Sequence, residues 1–147
     1  MLKKALVEIF ERDLNKLKSE INLYVSEEEL WTVRNEINNS AGNLCLHLIG
    51  NLNYFVGTTL GETGYDRDRD SEFTAKKVSR LDLINGIEKT IDVVKNTLNR
   101  LPDENFDINF PVEKHGETVK TDFMLLHLLT HFSYHLGQIN YHRRLIS

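Results

Sequence analysis

His127, His131 and His135 recur at every fourth position of one stretch, His127-Leu-Leu-Thr-His131-Phe-Ser-Tyr-His135-Leu-Gly-Gln138, and His142 follows about two turns later. On an α-helix, residues four apart stand one above the other on the same face, so this spacing builds a ladder of imidazoles. The apolar residues of the same stretch (Leu125, Leu128, Leu129, Phe132, Leu136 and Ile139) define a different direction on the helical wheel. His131 and His135 fall on the flank of that apolar face, while His127 lies further round. Two imidazoles one turn apart at the edge of a core can converge on one ion, at metal–nitrogen distances of about 2.0–2.1 Å. A single histidine in such a place is ordinarily a hydrogen-bonded core residue, so it is the pairing that points to metal. A third ligand has to come from elsewhere. His47 is the best placed, being the only histidine on another predicted helix, with His127 in reserve.

Several rival chemistries lack their residues. A zincin protease needs His-Glu-x-x-His, and neither His127 to His131 nor His131 to His135 encloses a glutamate at that position. A di-iron carboxylate bundle needs Glu-x-x-His on two helices, and no such pair occurs. The paired cysteines of structural zinc sites are missing too. Ser133 shares the helix of the histidines, but no strand-to-helix elbow presents it as a nucleophile. What remains is a three-histidine site with positions open for water or substrate, a donor set that suits zinc, nickel or iron without choosing among them.

The elements that must position these residues follow from periodicity. Leu6, Phe10, Leu14, Leu17, Ile21 and Tyr24 recur at threes and fours, which predicts an amphipathic helix over residues 2–24. Trp31, in the turn that follows, reads as a plug over the end of a bundle. Asn38-Asn39-Ser40 offers N-cap oxygens to a second helix carrying Leu44, Leu48, Leu52, Phe55 and Val56, with His47 and Asn51 beside that stripe. Gly42, Gly50 and Gly57 cost this helix roughly 1 kcal/mol each against alanine, and suit close approach of a neighbour. Residues 60–73 are rich in glycine and alternating charge and read as a polar loop, in which Arg67 or Arg69 could rim a pocket for an acidic substrate. Ser79 and Asp82 resemble a capping box for a third helix marked by Leu81, Ile84, Ile87, Ile91, Val94, Leu98 and Leu101, and Pro102 stops it. Residues 103–120 form a long connection with a small hairpin at His115-Gly116, leaving His115 exposed. Thr121 or Asp122 then caps the histidine helix. The expectation is an all-α four-helix bundle in one domain, residues 1–147, with sites built from side chains on facing helices.

A formal net charge of -4, with Lys and Arg spread along the chain, argues against nucleic-acid binding, which needs a basic patch. No apolar run approaches the ~20 residues of a membrane span. The N-terminus does not read as a secretory signal, and the single Cys45 fits a reducing compartment. The expected location is therefore cytoplasmic, away from membranes.

The stretch Asn39-Ser-Ala-Gly-Asn-Leu-Cys-Leu-His47-Leu-Ile-Gly-Asn, the run Gly64-Tyr-Asp-Arg-Asp-Arg-Asp70 and the ending His131-x-x-x-His135-x-Gly-Gln138 together resemble the DinB superfamily of small metal-binding four-helix bundles. The resemblance spans nearly the whole chain. It implies a divalent metal held by His47, His131 and His135, and a homodimer. Many members carry arginine after the last histidine, where this chain has Leu136; the ligands are untouched, but a charge that could serve a substrate or helix partner is lost. The superfamily's characterised enzymes are transferases and isomerases that use low-molecular-weight thiols such as bacillithiol, mycothiol or glutathione, which implies a metal-dependent thiol transferase acting on a small-molecule electrophile. Neutral histidine ligands leave the ion its full charge, so a coordinating thiol loses its proton. Cys45 is not that thiol, because two helical positions from His47 turn it about 160° away. Asn51, His127, Tyr134 and Gln138 are candidates to bind substrate or orient a ligand. Two alternatives are a metal-dependent hydrolase, since metal-bound water is also a nucleophile, and a non-catalytic bundle that metal stabilises for dimerisation or binding.

Overall fold

The computed structural model describes residues 1–146 and is all-α among them. Four long helices make the bundle: α1 (Leu2–Leu23), α2 (Ala41–Leu52), α5 (Arg80–Arg100) and α6 (Thr121–Ile146). A π-helical segment (Asn53–Thr58) and a closing turn, α3 (Thr59–Gly61), prolong α2; the short α4 (Arg69–Thr74) follows. α1 packs against α5 and α6, and α2 packs against the same two helices. Leu6, Phe10, Leu14, Leu17 and Ile21 of α1, the stripe read from the sequence, are buried. They meet Leu83, Ile87, Val94 and Leu98 of α5, Leu48 and Leu52 of α2, and Leu125, Leu128, Phe132 and Ile139 of α6 in one apolar core.

Helix starts follow local chemistry. Ser40 accepts the Asn43 amide at the start of α2, and Ser79 accepts the Asp82 amide at 3.1 Å at the start of α5. α6 begins differently from expectation: the Thr121 hydroxyl donates to the Ile108 carbonyl, and Asp122 accepts only the amide next to it, that of Phe123. The connection before α6 holds two isolated bridges, Asn109 with Lys120 and Lys114 with Glu117. Between the second pair, His115 and Gly116 both take left-handed conformations, with φ of 50° and 78°, as a two-residue hairpin turn requires. His115 is exposed there.

Two readings of the sequence need correction. Leu81 is 67% exposed, and the buried residue in that turn of α5 is Leu83; a threes-and-fours pattern admits either as its first member. More consequentially, residues 60–73 are not all loop. Asp68 accepts the Ser71 amide and opens α4, whose Glu72 is buried in spite of its charge.

Trp31 does lie over the bundle. A Cβ on Gly42 would stand 2.7 Å from its indole ring, so the ring seats directly on the backbone of α2. At the far end of the chain, His142 is buried and structural. Its Nδ1 lies 2.7 Å from the Tyr24 hydroxyl and its Nε2 2.8 Å from the Thr32 carbonyl. A carbonyl only accepts, so Nε2 carries the proton and Nδ1 accepts from Tyr24.

Candidate metal centre

His47 leaves α2 toward α6 and meets His131 and His135 there. One ring nitrogen from each of the three lies within 4.8 Å of the others. The rings stand edge to face, with centroids 5.0 Å (His47 and His131), 5.2 Å (His47 and His135) and 4.5 Å (His131 and His135) apart. His47 is buried, whereas the two α6 histidines are half-buried, as their place on the flank of the apolar face requires.

Neighbours set the protons. Glu72 Oε1 lies 3.1 Å from His47 Nδ1. A carboxylate accepts, so Nδ1 carries the hydrogen and Nε2 keeps its lone pair. The Gln138 carbonyl oxygen lies 2.7 Å from His135 Nδ1 and has the same effect. His131 has no such partner among the described residues: its Nδ1 is buried without a hydrogen bond to any of them. Its Nε2 sits 3.1 Å from His47 Nε2. Two bare imidazole nitrogens at that separation repel unless a proton or a metal ion lies between them. Metal–nitrogen bonds of 2.0–2.1 Å place two ligand nitrogens about 2.9 Å apart at a right angle and about 3.4 Å apart at the tetrahedral angle, and the observed spacing falls between. The three imidazoles can therefore hold a metal ion.

Electrostatics act in the same direction. Burial lowers the His47 pKa against the opposing pull of Glu72. Burial first, then the other two histidines, pushes His131 down to about 4. Both imidazoles are neutral near pH 7, the form that ligates.

Glu72 is the residue that sequence reasoning missed. Arg67 grips it with Nε on Oε2 at 2.9 Å and Nη2 on Oε1 at 3.0 Å, a bidentate pair. Asn43 Nδ2 donates to the Glu72 and Ala75 carbonyls, tying α4 to the first turn of α2. Gly50 gives the carboxylate room, since a Cβ there would collide with Oε2. Phe73 closes the other side of His47 at 5.0 Å between ring centroids. The signal was present in Asp68-Arg-Asp-Ser71, a plausible cap, but alternating charge over so few residues outweighed it.

A cavity of about 370 Å³ opens beside His47 and His131, with Asn51, Phe55, Arg67, Arg69, Lys114 and His127 among its walls. Both arginines considered for a pocket rim are there, although Arg67 is already paired with Glu72. Asn51 is buried, and its Oδ1 has no hydrogen-bond partner among the described residues. His127 lines the cavity outside the triad; burial, and after it Lys114, lowers its pKa. Tyr134 does not line it. That ring is 67% exposed on the outside of α6, edge-on to His135 at 5.4 Å. Cys45 is fully buried in the core and its thiol is pushed up to about 12, so it stays protonated and away from the site.

The chain is thus a helical bundle that gathers three imidazoles from facing helices, two of which, His47 and His131, line a cavity. The chain belongs to the family described as "Protein of unknown function (DUF1572)", which it matches over residues 3–147. Among solved structures it is similar to a conserved protein from Enterococcus faecalis. The likeness has a TM-score of 0.72 at 16% identity and covers 97% of this chain and 95% of that one, which shows the shared fold. No curated protein matches the chain.

Proposed function

We propose that this protein is a divalent-metal-binding member of the DinB superfamily and acts as a metal-dependent thiol transferase on a small electrophile. The observation that carries the reading is the convergence of His47, His131 and His135 beside an open cavity, with Glu72 and Gln138 fixing two of the imidazoles so that Nε2 faces inward. Zinc, nickel or iron, held by these three histidines, would supply the Lewis acidity that lets a thiol ionise near neutral pH.

The remaining work falls to this chain's own residues. Glu72 and Arg67 cancel one another's charge, so three neutral ligands leave a bound dication uncompensated within the protein. Arg69 and Lys114 on the cavity wall add positive charge, opposed by Glu113. The site thus favours a thiol that bears an anionic group. The unpartnered Oδ1 of Asn51 offers an acceptor for an N–H or O–H on the same molecule. His127, held neutral, can take the thiol proton. The sulfur then bonds to the electrophilic carbon of the second substrate, and the leaving group departs with its electron pair. Cys45 supplies no sulfur, so the thiol must come from outside.

The test is the reconstituted protein with a panel of anionic low-molecular-weight thiols and an aryl halide or epoxide. The reading expects thiol consumption faster than the uncatalysed rate, abolished by chelation and in His131→Ala. Hydrolysis of esters or amides without added thiol would instead make the protein a hydrolase. Metal binding with neither reaction would leave a metal-stabilised binding bundle.

A further inference from the structure

Directly after α2 the helix widens into the π-helical turn Asn53–Thr58. Specific bonds hold it open. The Tyr54 carbonyl accepts both the amide and the hydroxyl of Thr59. Asn53 Nδ2 donates to the Ile49 carbonyl and to the Thr90 hydroxyl, which ties the turn to α5. Such turns are rare within helices and gather at functional sites. Here the turn decides where Phe55 points. On an α-helix four residues advance about 400°, so His47, Asn51 and Phe55 would drift by about 40° at each step. That drift leads toward the core stripe of Leu48 and Leu52, where periodicity alone places Phe55. A π turn takes in about one residue more than an α turn, which offsets the drift. The result is that Leu52 and Val56 are buried while Phe55 is only half-buried. His47, Asn51 and Phe55 all line one cavity.

The ring is held in place from three sides. Tyr54 meets it edge-on with centroids 4.9 Å apart, Phe110 stands at 6.4 Å, and the guanidinium carbon of Arg67 lies 5.9 Å from its centroid. Nε and Nη2 of Arg67 are engaged with Glu72, so what this side chain has left to offer a ligand is the plane of its guanidinium, which stacks on aromatic rings. From α6, Met124 and Leu128 add apolar wall, and a thioether suits the edge of a ring. Both helices therefore carry imidazole at one level of the cavity and apolar side chains at another. His47 and Phe55 are eight residues apart, roughly 10–12 Å along the axis. A sulfur at the histidines, the carbon it attacks and one attached ring fit within that length.

We propose that Phe55 is a specificity-determining residue, and that the electrophile is one whose reacting carbon carries an aromatic ring. The reaction rests on the transferase reading above; the binding rests on the cavity alone. The ring lies against Phe55 and Met124, with the guanidinium plane of Arg67 beside it. The thiolate sulfur bonds to the carbon attached to the ring as the bond to the leaving group breaks, and that group departs with the electron pair. A saturated electrophile of the same bulk fills the space without the attraction between ring faces and edges.

The experiment is calorimetric titration of the metal-loaded protein, without thiol, by p-nitrobenzyl alcohol and separately by cyclohexylmethanol, which has the same hydroxyl and no π face. The wild type is expected to hold the aromatic alcohol about tenfold more tightly, the scale of one aromatic pairing with a nearby guanidinium. Phe55→Leu, which keeps apolar bulk and should keep the helical content, is expected to lose most of that margin; Phe55→Trp should retain it. Equal binding of the two alcohols by the wild type, or a margin that survives in Phe55→Leu, overturns the proposal. Turnover of p-nitrobenzyl chloride against chloroacetamide, with thiol added, separates the two claims. The ratio of their kcat/KM should fall about tenfold in Phe55→Leu. A wild type that prefers the aromatic alcohol but turns over neither chloride overturns the transferase reading and leaves the ring selectivity standing. Turnover of both, at a ratio that Phe55→Leu leaves unchanged, overturns the selectivity alone.

Discussion

At Gly50 the chain gives up helix propensity so that a buried carboxylate can stand against the helix backbone. A methyl group there would displace Glu72, and with it the acceptor that fixes His47 and the partner of Arg67. Gly50→Ala should therefore cost about 1–3 kcal/mol by overpacking and weaken metal binding roughly 10–100-fold. Denaturant titration and calorimetric metal titration measure the two effects separately. Unchanged metal affinity would show that Glu72 does not orient the ligand. His131 makes a different prediction. Its pKa is about 4 in the folded chain against 6.5 for the free imidazole, through burial and its histidine neighbours. The unfolded chain thus takes up the proton first. The stability held by neutral His131 is complete above about pH 6.5 and is lost as pH falls toward 4. Its size is on the order of 2 kcal/mol for a half-buried group. The metal-free protein should lose stability through that window more steeply than His131→Asn, and parallel profiles would contradict the assignment.

At the scale of elements, α2 and α4 form a unit. Ser40 caps α2, Asn43 in its first turn holds the carbonyls of Glu72 and Ala75, and Trp31 covers Gly42. The indole is the only tryptophan, so it reports on this end of α2. Gly42→Ala must push the ring outward, and a red-shifted emission with a lowered thermal midpoint is the expected result. Emission identical to wild type would mean the ring does not sit on Gly42. How far the sequence speaks also divides by element. The long helices are legible because Leu6 to Ile21 and Ile87 to Leu98 repeat their period over several turns. The i, i+4 spacing of His131 and His135, which brings both toward His47, depends on nothing outside its own helix. α4 was hidden because six residues are too few for a periodicity to emerge. Its one inward polar group, Glu72, is buried by a partner five residues earlier and a glycine on another helix. No local pattern encodes such a contact. Leu81 and Leu83 show the same limit on a smaller scale, since two apolar residues in one helical turn cannot both be assigned without the neighbour they face.

At the scale of the whole molecule, the site joins the two halves of the chain. His47 comes from α2, and His131 and His135 come from α6, with the roughly 32 Å of α5 between them in sequence contributing none of the three. An ion bound across this junction would favour the folded chain over the unfolded one. Saturation at about 100 times its dissociation constant should add about 2.7 kcal/mol, or roughly 5–10 °C in a domain of this size. Among the described residues no helix is long and apolar enough to cross a membrane. The most direct measurement of the central claim is elemental analysis of the purified protein, after reconstitution with zinc, nickel and iron in turn, beside His47→Ala, His131→Ala and His135→Ala. About one ion per chain is expected in the wild type and a loss of that ion in each variant, with helical content retained. No bound metal in the wild type, or full stoichiometry in all three variants, would contradict it.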